Sequence, residues 1–97
     1  MNLRDFARDQ ACTLRLEGIC NRNPATTVLC HVRRFGTGGM GKKPPDLCGV
    51  HACDACHAAL DGRSAPPPSW PEDRDTDILR AVLETLVRVD KSFVVRA

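Results

Sequence analysis

The densest chemical signal in the sequence is Cys53-Asp54-Ala55-Cys56-His57. A Cys-x-x-Cys pair puts two thiolates within reach of one zinc ion, one on a turn and one on the helix it starts. The imidazole that follows points elsewhere. Asp61 lies four residues on, and residues four apart on a helix are separated by about 40° around the axis, so His57 and Asp61 share a face. An imidazole and a carboxylate placed this way could hold Mg²⁺ or Mn²⁺ and leave positions open to water or phosphate. The plainer alternative is that Asp61 only accepts a hydrogen bond from His57. His31, on a candidate strand, is the complementary group: an imidazole can take a proton from water attacking phosphorus near neutral pH.

The remaining cysteines fall into two sets. Cys12 and Cys20 flank a turn at Gly18 and complete a four-thiolate zinc site with Cys53 and Cys56. Such a site is closed, and structural in character. Cys48 is the rival ligand because it lies near the turn; otherwise Cys48 and Cys30 are small apolar strand residues. The amino terminus lacks a signal-peptide core and no stretch can span a bilayer, so the expectation is a cytoplasmic protein. In a reducing compartment six cysteines read as metal ligands before disulfides.

The elements that must position these groups follow from periodicity. Residues 2–10 have helical spacing at Leu3, Phe6, Ala7 and Gln10, with Arg4 and Arg8 outside. Cys12–Leu16 alternates like a strand. Thr27–Arg33 is a strand with Val28, Cys30 and Val32 on one face and Leu29, His31 and Arg33 on the other. Phe35 to Asp46 carries four glycines and two prolines, too many for regular structure. Leu47–Ala52 is a second strand, and a helix from Asp54 to Leu60 stops at Gly62. If the strands close as a hairpin on that helix, the His31 face looks toward His57.

The chain reads as one small α+β domain of 97 residues: a zinc-stapled ββα core over 1–63, a proline-rich connector over 64–71 and a carboxy-terminal helix over 72–97. With only three phenylalanines and one tryptophan, the core gains from a metal staple. In the last helix Ile78, Leu79, Val82, Leu83, Leu86 and Val87 form a stripe that covers the core, with dimerisation as the alternative. Residues 92–96 could add a closing strand. The net charge is only +2, but Arg22, Arg33, Arg34, Lys42 and Lys43 face a single acid, Asp46, between Gly18 and Gly49. Arg33, Arg34, Lys42 and Lys43 are candidate phosphate contacts for nucleic acid.

The order of strand histidine, glycine-rich loop, second strand and Cys-x-x-Cys-His resembles that of HNH (His-Me finger, ββα-metal) endonucleases. More narrowly, four segments resemble small nucleases of lambdoid phages and prophages, of the YbcO type. They are Cys20-Asn21-x-Asn23-Pro24, Val28-Leu29-x-His31, Lys43-Pro44-Pro45-Asp46 and Ala52-Cys53-x-Ala55-Cys56-His57-x-x-x-Asp61. The likeness runs from about Leu3 to Arg63. It implies His31 as general base, His57 as catalytic metal ligand and the cysteines as zinc ligands. Two positions depart from the HNH pattern. Cys30 stands where an aspartate metal ligand often precedes the base histidine, so Asp61 or Asp46 would supply the carboxylate. Gly49, Val50 and His51 stand where an asparagine is common, and His51 is either its substitute or a surface residue.

Together these features predict a metal-dependent DNA endonuclease with structural Zn²⁺ and catalytic Mg²⁺ or Mn²⁺. The resemblance implies a setting in phage recombination or replication in a bacterial host, alongside phage or host proteins of those processes and away from membranes. The alternative is a zinc-stabilised nucleic-acid-binding module that does not cut. Cys53-x-x-Cys56-His57 also matches a covalent haem signature, but attachment needs export and a haem pocket needs aromatic residues.

Overall fold

The structure, a computed structural model, describes residues 2–33 and 44–92. It is α+β. In chain order come α1 (Leu3–Ala7), a 3₁₀ turn (Pro24–Thr26), β1 (Val28–His31), β2 (Gly49–Ala52), α2 (Asp54–Leu60) and α3 (Arg74–Ser92). The expected strand over residues 92–96 falls mostly, and Arg34, Lys42 and Lys43 wholly, outside the described residues.

β1 and β2 pair antiparallel, with Leu29 opposite His51, Cys30 opposite Val50 and His31 opposite Gly49. The pairing continues past the strands, where the Val32 amide donates to the Cys48 carbonyl at 2.8 Å. Alternation buries Cys30 and Val32, but Val28, expected on the same inner face, is 42% exposed at the strand's open end. Glycine is required at position 49. A Cβ there would lie 2.8 Å from Leu29 Cδ1 and 3.1 Å from the Cys30 carbonyl.

α2 begins and ends on local signals. Cys53 is its N-cap, with Sγ accepting from the Cys56 amide. At the other end Gly62 takes φ +79°. The Gly62 and Arg63 amides reach back to the Ala59 and Ala58 carbonyls, the pairing that closes a helix over a left-handed residue. The metal-knuckle pair is therefore also the helix start signal.

Two amino-terminal expectations are corrected. The first helix covers residues 3–7, not 2–10; Asn2 caps it and Asp9 has φ +64°. Residues 12–16 form no strand, and Arg15 sits at φ +43°, outside extended geometry. This loop is held by side chains of α3 rather than by a ladder. Arg88 donates to the Ala11 carbonyl at 2.8 Å, and Arg80 to those of Thr13 and Leu14 at 2.9 and 2.7 Å. The Thr85 and Thr13 hydroxyls meet at 2.9 Å, and Arg15 pairs with Glu84 at 2.9 Å.

The α3 stripe divides. Ile78, Ala81 and Thr85 are buried against the core, whereas Leu79, Leu83 and Val87 are 47%, 62% and 53% exposed. The exposed three are spaced four apart and form their own file, turned from the inner one by the helix's angular step. The proline-rich connector is packed at its end. Trp70 is buried, and its indole donates to Asp77 at 2.8 Å. No helix among the described residues is long and apolar enough to cross a membrane.

His51 is not a surface residue; it is 1% exposed. Phe6 packs on its ring at 5.7 Å, and its backbone exchanges hydrogen bonds with Thr13. Arg88 approaches Nδ1 at 2.8 Å. Arginine can only donate, so Nδ1 accepts and the ring is neutral. Burial first, and then the Arg88 charge, push its pKa down to about 4. A histidine depressed on folding contributes stability that is complete above about pH 6.5 and is lost as pH falls toward 4. Between pH 7 and pH 5 this one group should cost about 2 kcal/mol. Urea melts should show that loss in the wild type, and its absence in His51→Gln; equal slopes would contradict it.

Candidate functional site

Four thiols from distant parts of the chain converge. The Sγ atoms of Cys12, Cys20, Cys53 and Cys56 all lie within 4.8 Å of one another. Cys20 and Cys53 are 3.8 Å apart. Zinc–thiolate bonds of about 2.3 Å give a tetrahedron with edges of about 3.8 Å, so the spacing fits. Backbone amides already point at the sulfurs: Arg15 at Cys12, Leu16 at Cys56 and Cys56 at Cys53, each at 3.4 Å. Cys12 is drawn down to about 4, chiefly by the Cys56 thiol that bonds to it. Cys56 is correspondingly pushed up, as is Cys20, in its case mainly by burial. Like charges crowd here, so four thiolates need a cation among them. The cluster can hold a metal such as zinc. Cys48 is half-buried and is not part of it.

A second group stands further along α2, toward its carboxy-terminal end. Ligand atoms of Cys30, His57 and Asp61 lie within 4.8 Å of one another, with His57 Nε2 2.9 Å from Asp61 Oδ2. Arg63 also reaches this carboxylate, at 3.6 Å. The sequence expectation turned the His31 face of β1 toward His57. The structure gives that place to Cys30, the neighbour on the opposite face, so Cys30 is more than an apolar filler. Burial first, then the Asp61 charge, push the Cys30 thiol up to about 12.

His31 closes β1 and turns to Asp46, with Nε2 2.8 Å from Oδ1. Asp46 is thus no member of the metal group. The His31 hydrogen bond, and then the nearby Arg4 at 3.5 Å, hold its carboxyl below the usual range. An ionised carboxylate only accepts, so Nε2 carries the proton and the Nδ1 lone pair is the basic site of the ring. The pairing is a signal that sequence could not supply, because 15 residues and the glycine-rich loop separate the partners.

A cleft of about 490 Å³ joins these pieces, lined by His31, Val32, Arg33, Leu60, Asp61 and Arg74. Arg33 is exposed at its edge. Arg74, the first residue of α3, was missed by the sequence reading. Its guanidinium lies over the Trp70 ring at 5.4 Å, and its Nε is buried with no hydrogen-bond partner among the described residues. Two guanidinium side chains beside an imidazole and a carboxylate suit a phosphate ester.

A family model described as "Putative nuclease YbcO" matches residues 1–91. The chain belongs to the YbcO family. Relatives carrying that description, from Escherichia coli (strain K12) and from Enterobacteria phage 82, are each 49% identical over 63 residues. The match takes in 65% of this chain and 66% of each relative, so it spans just under two thirds of those YbcO proteins. A solved structure, "Structure of a putative bacteriophage protein from Escherichia coli str. K-12 substr. MG1655", is similar with a TM-score of 0.74 at 34% identity. That similarity covers 95% of this chain and 100% of that one. The YbcO relatives carry a nuclease name, and one of them comes from a phage.

Proposed function

We propose that the protein is a DNA endonuclease of the HNH type, hydrolysing phosphodiester bonds in the cleft between β1, α2 and α3. The observation that carries the reading is the shared lining: His31 and Asp61 border one cavity, with Arg33 and Arg74 beside them. His31 takes the proton of the attacking water at Nδ1 while Asp46 fixes the ring through Nε2. Arg33 and Arg74 bind and orient the phosphate. A divalent cation held by His57 and Asp61 would offset charge on the phosphate and the leaving 3′ oxygen. The four-cysteine site takes no part in this chemistry and ties residues 12–20 to the start of α2. One relative comes from a phage, and the role proposed for the protein is in phage recombination or replication.

Asp46→Asn tests the orienting role. An amide can donate as well as accept, and it removes the charge that favours the reactive tautomer. The expected loss is about 10²-fold in kcat with KM little changed, less than the ~10⁴ of a buried triad carboxylate because Asp46 is partly exposed. An unchanged kcat would remove Asp46 from the mechanism.

The function itself is tested with labelled single strands, duplexes and branched junctions, each incubated with the zinc-loaded protein and a series of divalent ions. Cutting of at least one form is expected. Salt-sensitive binding to DNA without cutting of any form under any ion would replace this reading with the non-cleaving binding module.

A further inference from the structure

We propose that Cys30 is a thiolate ligand of the second metal site, beside His57 and Asp61. By this account the site takes a borderline-soft divalent ion such as Zn²⁺ or Co²⁺ rather than Mg²⁺. Its catalytic meaning rests on the nuclease reading above; its existence as a metal site does not.

β1 sets the geometry of the site. Strand alternation sends consecutive side chains to opposite faces, so Cys30 is buried beneath α2 while His31 turns to Asp46 and the cleft. Across the strand from Cys30 stands Val50, and a hydrocarbon at position 30 would serve packing equally well. Instead a sulfur meets an imidazole and a carboxylate, all three ligand atoms within 4.8 Å. They come from two elements of fixed relative position, and α2 is anchored at its first turn by the four-cysteine cluster. Asp61 lines the cleft that also holds His31, so the site borders open space on its Asp61 side. Three protein ligands with one open position is the arrangement of catalytic rather than structural zinc.

The donor set then decides the ion. Mg²⁺ takes hard oxygen ligands and retains most of its water, whereas sulfur and imidazole together favour Zn²⁺ and its first-row neighbours. The expectation of Mg²⁺ or Mn²⁺ from sequence rests on the imidazole and carboxylate of His57 and Asp61. With Cys30 included, the donors are one sulfur, one nitrogen and one oxygen.

The test is a Co²⁺ titration of protein carrying one equivalent of Zn²⁺, which fills the four-thiolate site and leaves the second site free, read by near-ultraviolet absorbance. A cobalt–thiolate bond gives a charge-transfer band, and nitrogen and oxygen ligands alone do not. Wild type should develop a Cys30-dependent band for about one equivalent of Co²⁺, unaffected by a hundredfold excess of Mg²⁺. Cys30→Ser, nearly isosteric, should keep its fold and four-cysteine zinc, lose that band and bind Co²⁺ about 100-fold more weakly. His57→Ala, altered at a half-exposed position, should lose the band with Cys30 intact. A band of equal strength in Cys30→Ser, or Co²⁺ binding with no such band in the wild type, overturns the proposal. The readout needs no DNA. A normal band without cutting therefore supports this site and counts against the nuclease reading, whereas Mg²⁺-dependent cutting without a band does the reverse.

Discussion

Cys53→Ser should leave the protein unfolded or nearly so at 25 °C. Cys53 is fully buried, lies 3.8 Å from Cys20 and caps α2 through its sulfur. Serine is a better N-cap than cysteine, so the substitution preserves the helix start and removes one of the four sulfurs that can hold a metal. Structural zinc contributes about 10–16 kcal/mol of apparent folding free energy in small zinc modules, against a total of about 5–15 kcal/mol for an ordinary domain. Losing it is more than the core can offset, with 97 residues and four large aromatics. Circular dichroism and elemental analysis would read the result, with Cys48→Ser as the control. Cys48 lies outside the cluster, and its replacement should cost no more than about 1 kcal/mol. A Cys53→Ser protein that melts like wild type, or wild type purified without metal, would contradict the zinc assignment.

His31→Ala should lower DNA cleavage by about 10²–10⁴-fold, the usual contribution of a positioned general base. The structural cost should be small by comparison. The ring sits at the end of β1 and hydrogen-bonds to a partly exposed carboxylate. Zinc content, secondary structure and DNA binding should therefore match wild type. That separation matters, because truncating a buried histidine such as His51 would lower activity by unfolding the protein. Thermal melts and binding titrations beside the cleavage assay distinguish the two.

What could be read from the sequence was local. Cys53 and Cys56 announce both a metal knuckle and a helix start within four residues, and Gly62 announces the helix end. β1 and β2 were legible as elements because strand period and flanking turn residues agree. The loop over residues 12–16 was misread because its alternation is real but its partners are not strands. Arg80, Thr85 and Arg88 hold it from more than 60 residues away, and no period encodes that. The same limit hid His51. Its burial depends on Phe6 and Arg88 arriving from opposite ends of the chain. Within the cleft, periodicity separated Cys30 from His31 correctly but could not say which of the two faces α2. Arg74 escaped because its position depends on stacking over Trp70, at the end of a connector that reads as mere spacer.

The proposed function joins a scaffold whose four cysteines can hold a metal to a cleft bordered by His31, the proposed base. Its most direct test is the single-turnover cleavage rate of one labelled DNA, comparing wild type and His31→Ala at equal zinc content and equal divalent ion. The account predicts measurable cutting by wild type and a rate about 10²–10⁴-fold lower for His31→Ala. Equal rates for the two proteins, or wild type that binds the DNA and leaves every phosphodiester intact, would contradict it.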